Sequence, residues 1–169
     1  MTESTVDPRV DRLRLLASAI AGRTLDIGVA GAGERAWTDG TTVFVDALAP
    51  PTERVGMAAV QASLIAAGSL QPAIVRQFAR RPALARRYLA VEGHRALVAN
   101  EQFLPSVARS LIDRGVGASV GSAEAALVVA RSRRAIDAPV PSFGVIRPRP
   151  LLASPTPADA AAVPDQLLN

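Results

Sequence analysis

The sequence predicts an α+β fold that is predominantly helical: a helical bundle beside a small antiparallel β-hairpin or three-stranded sheet. Three observations carry this. Prolines set at the first turn of a helix mark starts at Asp7-Pro8, Pro50-Pro51, Pro82 and Pro105. Apolar residues recur at helical spacing after each of them. Alternation with a period of two is confined to residues 25–46, where Asp39-Gly40 interrupts it.

In order along the chain, Asp7 caps a first helix whose inner face is Val10, Leu13, Leu16, Ala17 and Ile20, and Gly22 ends it. Leu25, Ile27 and Val29 then alternate like a strand until the glycines at 28, 31 and 33 break it. Residues 35–46, RAWTDGTTVFVD, read as a hairpin. Asp39-Gly40 suits a two-residue type I′ turn, in which both central residues take positive φ. Trp37 anchors the core or an edge. A second helix runs from Pro50-Pro51 to about Ser69, a short one covers 73–80, and a long one follows Pro82 with Leu84, Tyr88, Val91, Arg95 and Val98 near one face. Pro105 opens another that ends at Gly115-Val116-Gly117, and Ser122 caps a last one through about Ile136.

From Ala138 the texture changes. Seven prolines between 139 and 164 exclude element interiors. A single globular domain is therefore expected over 8–137, with an extended or disordered Pro-rich tail over 138–169. The terminal VPDQLLN, two leucines after a polar spacer, reads as a frayed end, with a short docking peptide as the alternative.

Composition narrows the function. No Cys is present among 169 residues, which excludes a disulfide framework, a thiolate metal site and a Cys nucleophile. The N-terminus is not a signal peptide, and no apolar run reaches the roughly 18–20 residues of a membrane span, so a cytoplasmic protein without membrane contact is expected. All 19 basic residues are Arg, which explains an isoelectric point of about 11.1 better than the net charge of +4 does. They are scattered among 15 acids, and aromatic residues for base stacking are few. Both observations disfavour nucleic acid as a partner.

The usual chemical constellations are missing. His94 is the only His, there is no G-x-S-x-G or S-x-x-K, and no Walker lysine is possible. The glycines at 30–34 and 114–124 fit turns and caps; the second run has one residue too many for a dinucleotide fingerprint. Glu92 and Glu101 fall about 180° apart on a helix and do not face one site.

The run W-T-D-G-x-T, a proline-marked helix, and then R-P-x-L-A-R-x-x-x-x-x-E-x-x-R together resemble the N-terminal region of the nitric oxide reductase activation protein D family. Its members continue into a von Willebrand factor A domain and are related more distantly to a cobaltochelatase accessory subunit. In that family the middle helix reads H-Q-A-G-H-x-E-F-G-[ST], like a variant zinc-peptidase helix, and the downstream helix carries E-D-x-R. Here the first His falls on Val60, Gln on Gln61, Ala on Ala62, Gly on Ser63 and the second His on Leu64. The family Glu becomes Ala66, while Gly68 and Ser69 remain, and Glu92-Gly93-His94-Arg95 stands in place of E-D-x-R. The resemblance spans about residues 10–136 and implies a degenerate zincin-like scaffold.

Two imidazoles four residues apart on one helical face can chelate one ion. Val60 and Leu64 have no lone pair to donate, and His94 diverges from Glu92 by about 200° on a helix. No metal, cofactor or catalytic residue is therefore expected. The leading expectation is a non-catalytic protein-binding or adaptor domain. The resemblance implies an accessory role in metalloenzyme maturation, with a MoxR-type AAA+ ATPase, a von Willebrand factor A protein or a client enzyme as partner. The partner surface is expected at an open hairpin edge, Trp37, Asp39, Gly40, Val43 and Val45, with Glu92, His94 and Arg95. The alternatives are a metal-dependent peptidase or hydrolase built around Glu92 and His94, and an Arg-rich nucleic-acid-binding protein.

Overall fold

The computed structural model describes residues 7–154. Among these, eight α-helices surround a three-stranded sheet, the predominantly helical α+β arrangement expected. Helix α1 (Pro8–Ala21) starts where the Asp7 carboxylate accepts from the Arg9 amide, and it stops at Gly22, whose φ is +67°. Its Leu13, Ala17 and Ile20 are buried, and the helix packs on the helix Pro51–Ala66.

The sheet differs from a purely antiparallel one. Strands β1 (Asp26–Ala30), β2 (Trp37–Thr38) and β3 (Thr42–Asp46) lie in the order β1-β3-β2. β1 runs parallel to β3, Ile27 beside Val43, and β2 pairs antiparallel with β3, Trp37 opposite Phe44. The turn between β2 and β3 is also not type I′. Only Gly40 has positive φ (+97°) there, and Asp39 instead accepts from the amides of Thr41 and Thr42, both at 2.8 Å. An aspartate that ties down the next two amides builds the turn with its side chain.

Val43 and Val45 face the helices and are buried; the other face of β3 carries Phe44, whose ring stacks on Trp37 at 4.0 Å between centroids. Gly28 lets that ring lie across β1, since a Cβ there would sit 2.6 Å from it.

Helix α2 (Pro51–Ala66) is the centre of the molecule. Every residue from Ala58 to Leu64 is buried, because α1, β3 and the later helices Pro82–Ala99 and Ser106–Arg109 cover it on different sides. It ends short of Ser69 at a turn where Gly68 takes φ +71°. Helix α3 (Pro72–Val75) and a 3₁₀ turn (Arg76–Phe78) replace the single short helix expected there, and α4 (Pro82–Ala99) follows.

The helix expected from Pro105 is two, α5 (Ser106–Arg109) and α6 (Arg114–Ala118). The break falls at Asp113, which is extended, caps α6 by accepting from the Val116 amide, and donates its own amide to His94. Gly117 brings α6 onto α4: a Cβ there would be 3.0 Å from the His94 carbonyl oxygen. Ser122 caps α7 (Ala123–Arg131), which stops five residues before Ile136.

The stretch after Ala138 is not a free tail as far as Ser154. Pro141 opens a 3₁₀ turn (Pro141–Phe143) and Pro148 opens α8 (Pro148–Ala153), both at the first-turn positions that proline tolerates. Phe143, Ile146 and Leu151 are buried in the same core as α2 and α4, so the packed chain passes the boundary expected at 137. The terminal VPDQLLN lies outside the described residues.

Candidate functional site

The two positions that would carry imidazoles, Val60 and Leu64, are fully buried in the core. Between them Gln61, also buried, donates its side-chain amide to the Phe143 carbonyl at 2.8 Å. The Phe143 ring is fully buried and meets the His94 ring edge-on, 4.8 Å between centroids. It lies so close to α4 that a Cβ on Gly93 would stand 2.5 Å from it. The seam between α2 and α4 is thus filled by an aromatic ring from the segment after Ala138.

Glu92 faces another way. Its Oε1 accepts from the Ser69 hydroxyl at 2.5 Å and from Arg95 Nη2 at 2.5 Å, and its Oε2 accepts from Arg95 Nε at 2.8 Å. Arg95 also donates to the Ala67 carbonyl at 3.1 Å, and the Tyr88 hydroxyl donates to the Ser69 carbonyl at 2.8 Å. The hydrogen bond to Glu92 holds the Arg95 pKa up, and burial pushes the Tyr88 phenol up. This cluster ties the turn after α2 to α4. Both carboxylate oxygens are engaged on a residue with no exposed surface. The Ser69 hydroxyl donates to that carboxylate, and both side chains are fully buried.

His94 is separated from Glu92, as two residues on a helix must be. Its Nδ1 accepts from the Asp113 amide at 2.9 Å, so the neutral ring carries its proton on Nε2. Burial lowers its pKa, and the Asp113 charge opposes that shift. His94 borders a cavity of about 280 Å³ shared with Asp113, Ser119, Arg134 and Asp137.

The hairpin residues have structural placements. Burial would raise the Asp39 pKa, but hydrogen bonds from Thr42 and Thr41 outweigh it and hold the carboxyl low. Val43 and Val45 belong to the central strand, paired with β1 on one side, and Val43 also with β2 on the other. The open edge expected at Val43 therefore does not exist. The outer edge of β2 is met instead by the later segment, where the Val145 amide donates to the Ala36 carbonyl at 2.8 Å. Arg147 completes the seam: its guanidinium lies 4.5 Å over the Trp37 ring and pairs with Glu34 at 3.3 Å. The eight residues expected to form one partner surface are not brought together, because Glu92, Val43 and Val45 are in the core.

Sequence reasoning missed Phe143, Gly144 and Arg147. One signal was present: the apolar run Phe143-Gly144-Val145-Ile146 is unusual in a stretch read as a solvated linker.

A basic face lies apart from this seam. From Arg54 to Arg87 the chain has six arginines and no Asp or Glu. Arg76, Arg80 and Arg81 line an open hollow with Arg131, and none of the four pairs with a carboxylate among the described residues. Arg87 is used internally, donating to the carbonyls of Ala130, Ser132 and Arg134.

Among the described residues no group of three or more His, Asp or Glu is placed to hold a metal ion, and no helix is long and apolar enough to cross a membrane. No family model, no curated protein and no solved structure matches the chain.

Proposed function

We propose that this chain is a non-catalytic protein-binding domain, an adaptor or accessory factor. The observation that carries the reading is what the polar groups beside α2 and α4 are doing. Gln61 holds the Phe143 carbonyl, Glu92 is saturated by Ser69 and Arg95, and His94 Nδ1 holds a backbone amide. Groups committed to one another in this way stabilise a fold and leave little for chemistry on a substrate. Following the resemblance to the nitric oxide reductase activation protein D family, the partner is a MoxR-type AAA+ ATPase, a von Willebrand factor A protein or a client metalloenzyme.

Two measurements test this. Metal analysis of protein purified without a histidine tag is expected to give far less than one equivalent. Stoichiometric zinc that is lost in Glu92→Ala or His94→Ala would replace this reading with a metallohydrolase. Calorimetric titration with a purified MoxR-type ATPase is expected to show saturable binding, and its absence for all three partner classes would remove the adaptor reading.

The arginine-lined hollow favours a second reading, nucleic-acid binding through phosphates. It requires affinity for DNA or RNA that falls steeply with salt and is weakened by Arg80→Glu with Arg81→Glu. Association seen only at low salt, unchanged by these substitutions, would make the charge incidental.

A further inference from the structure

We propose that the groove between the β2 edge and the α2–α4 seam is a peptide-binding site, occupied in this chain by its own residues 139–146. Its ligand in trans is an extended segment of a partner protein carrying an aromatic residue followed by glycine. The inference rests on the protein-binding reading and names the recognition chemistry.

The contacts that hold the segment are those by which peptides are read. One is a main-chain bond to a strand edge, from the Val145 amide to the Ala36 carbonyl. Another is a side-chain amide on the peptide backbone, from Gln61 to the Phe143 carbonyl. The third is an aromatic anchor in a pocket, the Phe143 ring over Gly93 and against His94. The next residue must be glycine, because Gly144 takes φ +77° and a Cβ there would lie 2.0 Å from the Ala36 carbonyl oxygen. An aromatic-glycine pair is therefore required by the groove itself.

The segment is held by few polar contacts, although Phe143 and Ile146 are buried in the main core. Between Ala135 and Ile146 only two hydrogen bonds join the segment to the rest of the described chain, those from Gln61 and to Ala36. Segments with few such bonds open at lower free energy than the core. A solvent-open hollow of about 340 Å³, walled by Phe78, Leu89, Arg35 and Arg86, adjoins the segment between α4 and Val145–Ile146, so this side of the groove can be reached from outside.

The test uses the full chain with Phe143→Ala and a labelled peptide of residues 138–150, followed by fluorescence anisotropy. The variant is expected to bind at least tenfold tighter than the parent chain. Replacing Phe or Gly by Ala in the peptide is expected to weaken binding at least tenfold. A folded variant that binds no peptide, or binds all three equally, overturns the proposal. A dimer formed by exchange of the segment would make a second copy the occupant and overturn the assignment to a partner. Should the variant not fold, hydrogen exchange on the parent chain decides. The Val145 amide is expected to exchange at least tenfold faster than those of Leu64 and Leu97, and equal rates overturn the proposal. Failure here with ATPase binding intact would remove the groove and leave the adaptor reading standing.

Discussion

Gln61 and Phe143 stand 82 positions apart in the chain and are joined by a 2.8 Å bond from a buried amide to a buried carbonyl. Each group would be unsatisfied without the other. Gln61→Met keeps the length of the side chain and removes the donor, leaving the carbonyl without its partner. An unmade bond of this kind costs about 1–3 kcal/mol. Urea denaturation should show that loss, whereas an unchanged midpoint would mean the bond contributes nothing.

Glu92 and Arg95 predict a larger effect. Removing one member of a buried ion pair costs about 3–5 kcal/mol because the other is left uncompensated. Glu92→Leu and Arg95→Met should each approach that figure, and the double variant should be far less unstable than their sum. Strict additivity in the cycle would show that the two do not act together. The same result bears on the resemblance, since here Glu92 and Arg95 hold the turn at Ala67–Ser69.

The local signals were legible in the sequence, and the long-range ones were not. Asp7 and Ser122 announce helix starts through bonds to amides at most three residues away, Gly22 announces an end through its positive φ, and each does so in the structure. The parallel pairing of β1 with β3 depends on a crossover that no local pattern encodes. The split between α5 and α6 arises because Asp113 turns its amide toward a histidine 19 residues earlier. Prolines 139 and 141 read as a linker by composition, while what orders that stretch is a pocket built by Gln61, Gly93 and His94. Of the site, Gln61 and His94 could be singled out beforehand, but their shared neighbour Phe143 could not.

His94 gives a pH dependence with a definite sign. Its pKa in the folded chain lies below the ordinary 6.5, because burial disfavours the imidazolium more than the Asp113 charge favours it. Between those two values the unfolded chain binds a proton that the folded chain refuses, so stability rises with pH there. The contribution is complete above about pH 6.5 and is lost as pH falls through the folded pKa. Protonation at Nδ1 would also break the bond from the Asp113 amide. Denaturation midpoints measured between pH 4 and 8 should show this slope in the parent chain and lose it in His94→Gln. A variant with the same slope would assign it to other groups.

Gly144 offers the sharpest test of how the segment is held. Its φ of +77° and ψ of −141° belong to a region that is essentially glycine's alone, and a Cβ would press on the Ala36 carbonyl. Gly144→Ala must therefore shift the segment, losing the Val145–Ala36 bond and drawing Arg147 off Trp37. Backbone strain alone accounts for about 1–3 kcal/mol. Trp37 is the single tryptophan, so its emission reports on that contact directly. A lower denaturation midpoint with altered Trp37 fluorescence is expected. Gly121→Ala, where nothing lies within 4 Å and φ is not positive, serves as the near-neutral control. If both variants match the parent chain, the segment is not seated on β2, and the groove loses its occupant.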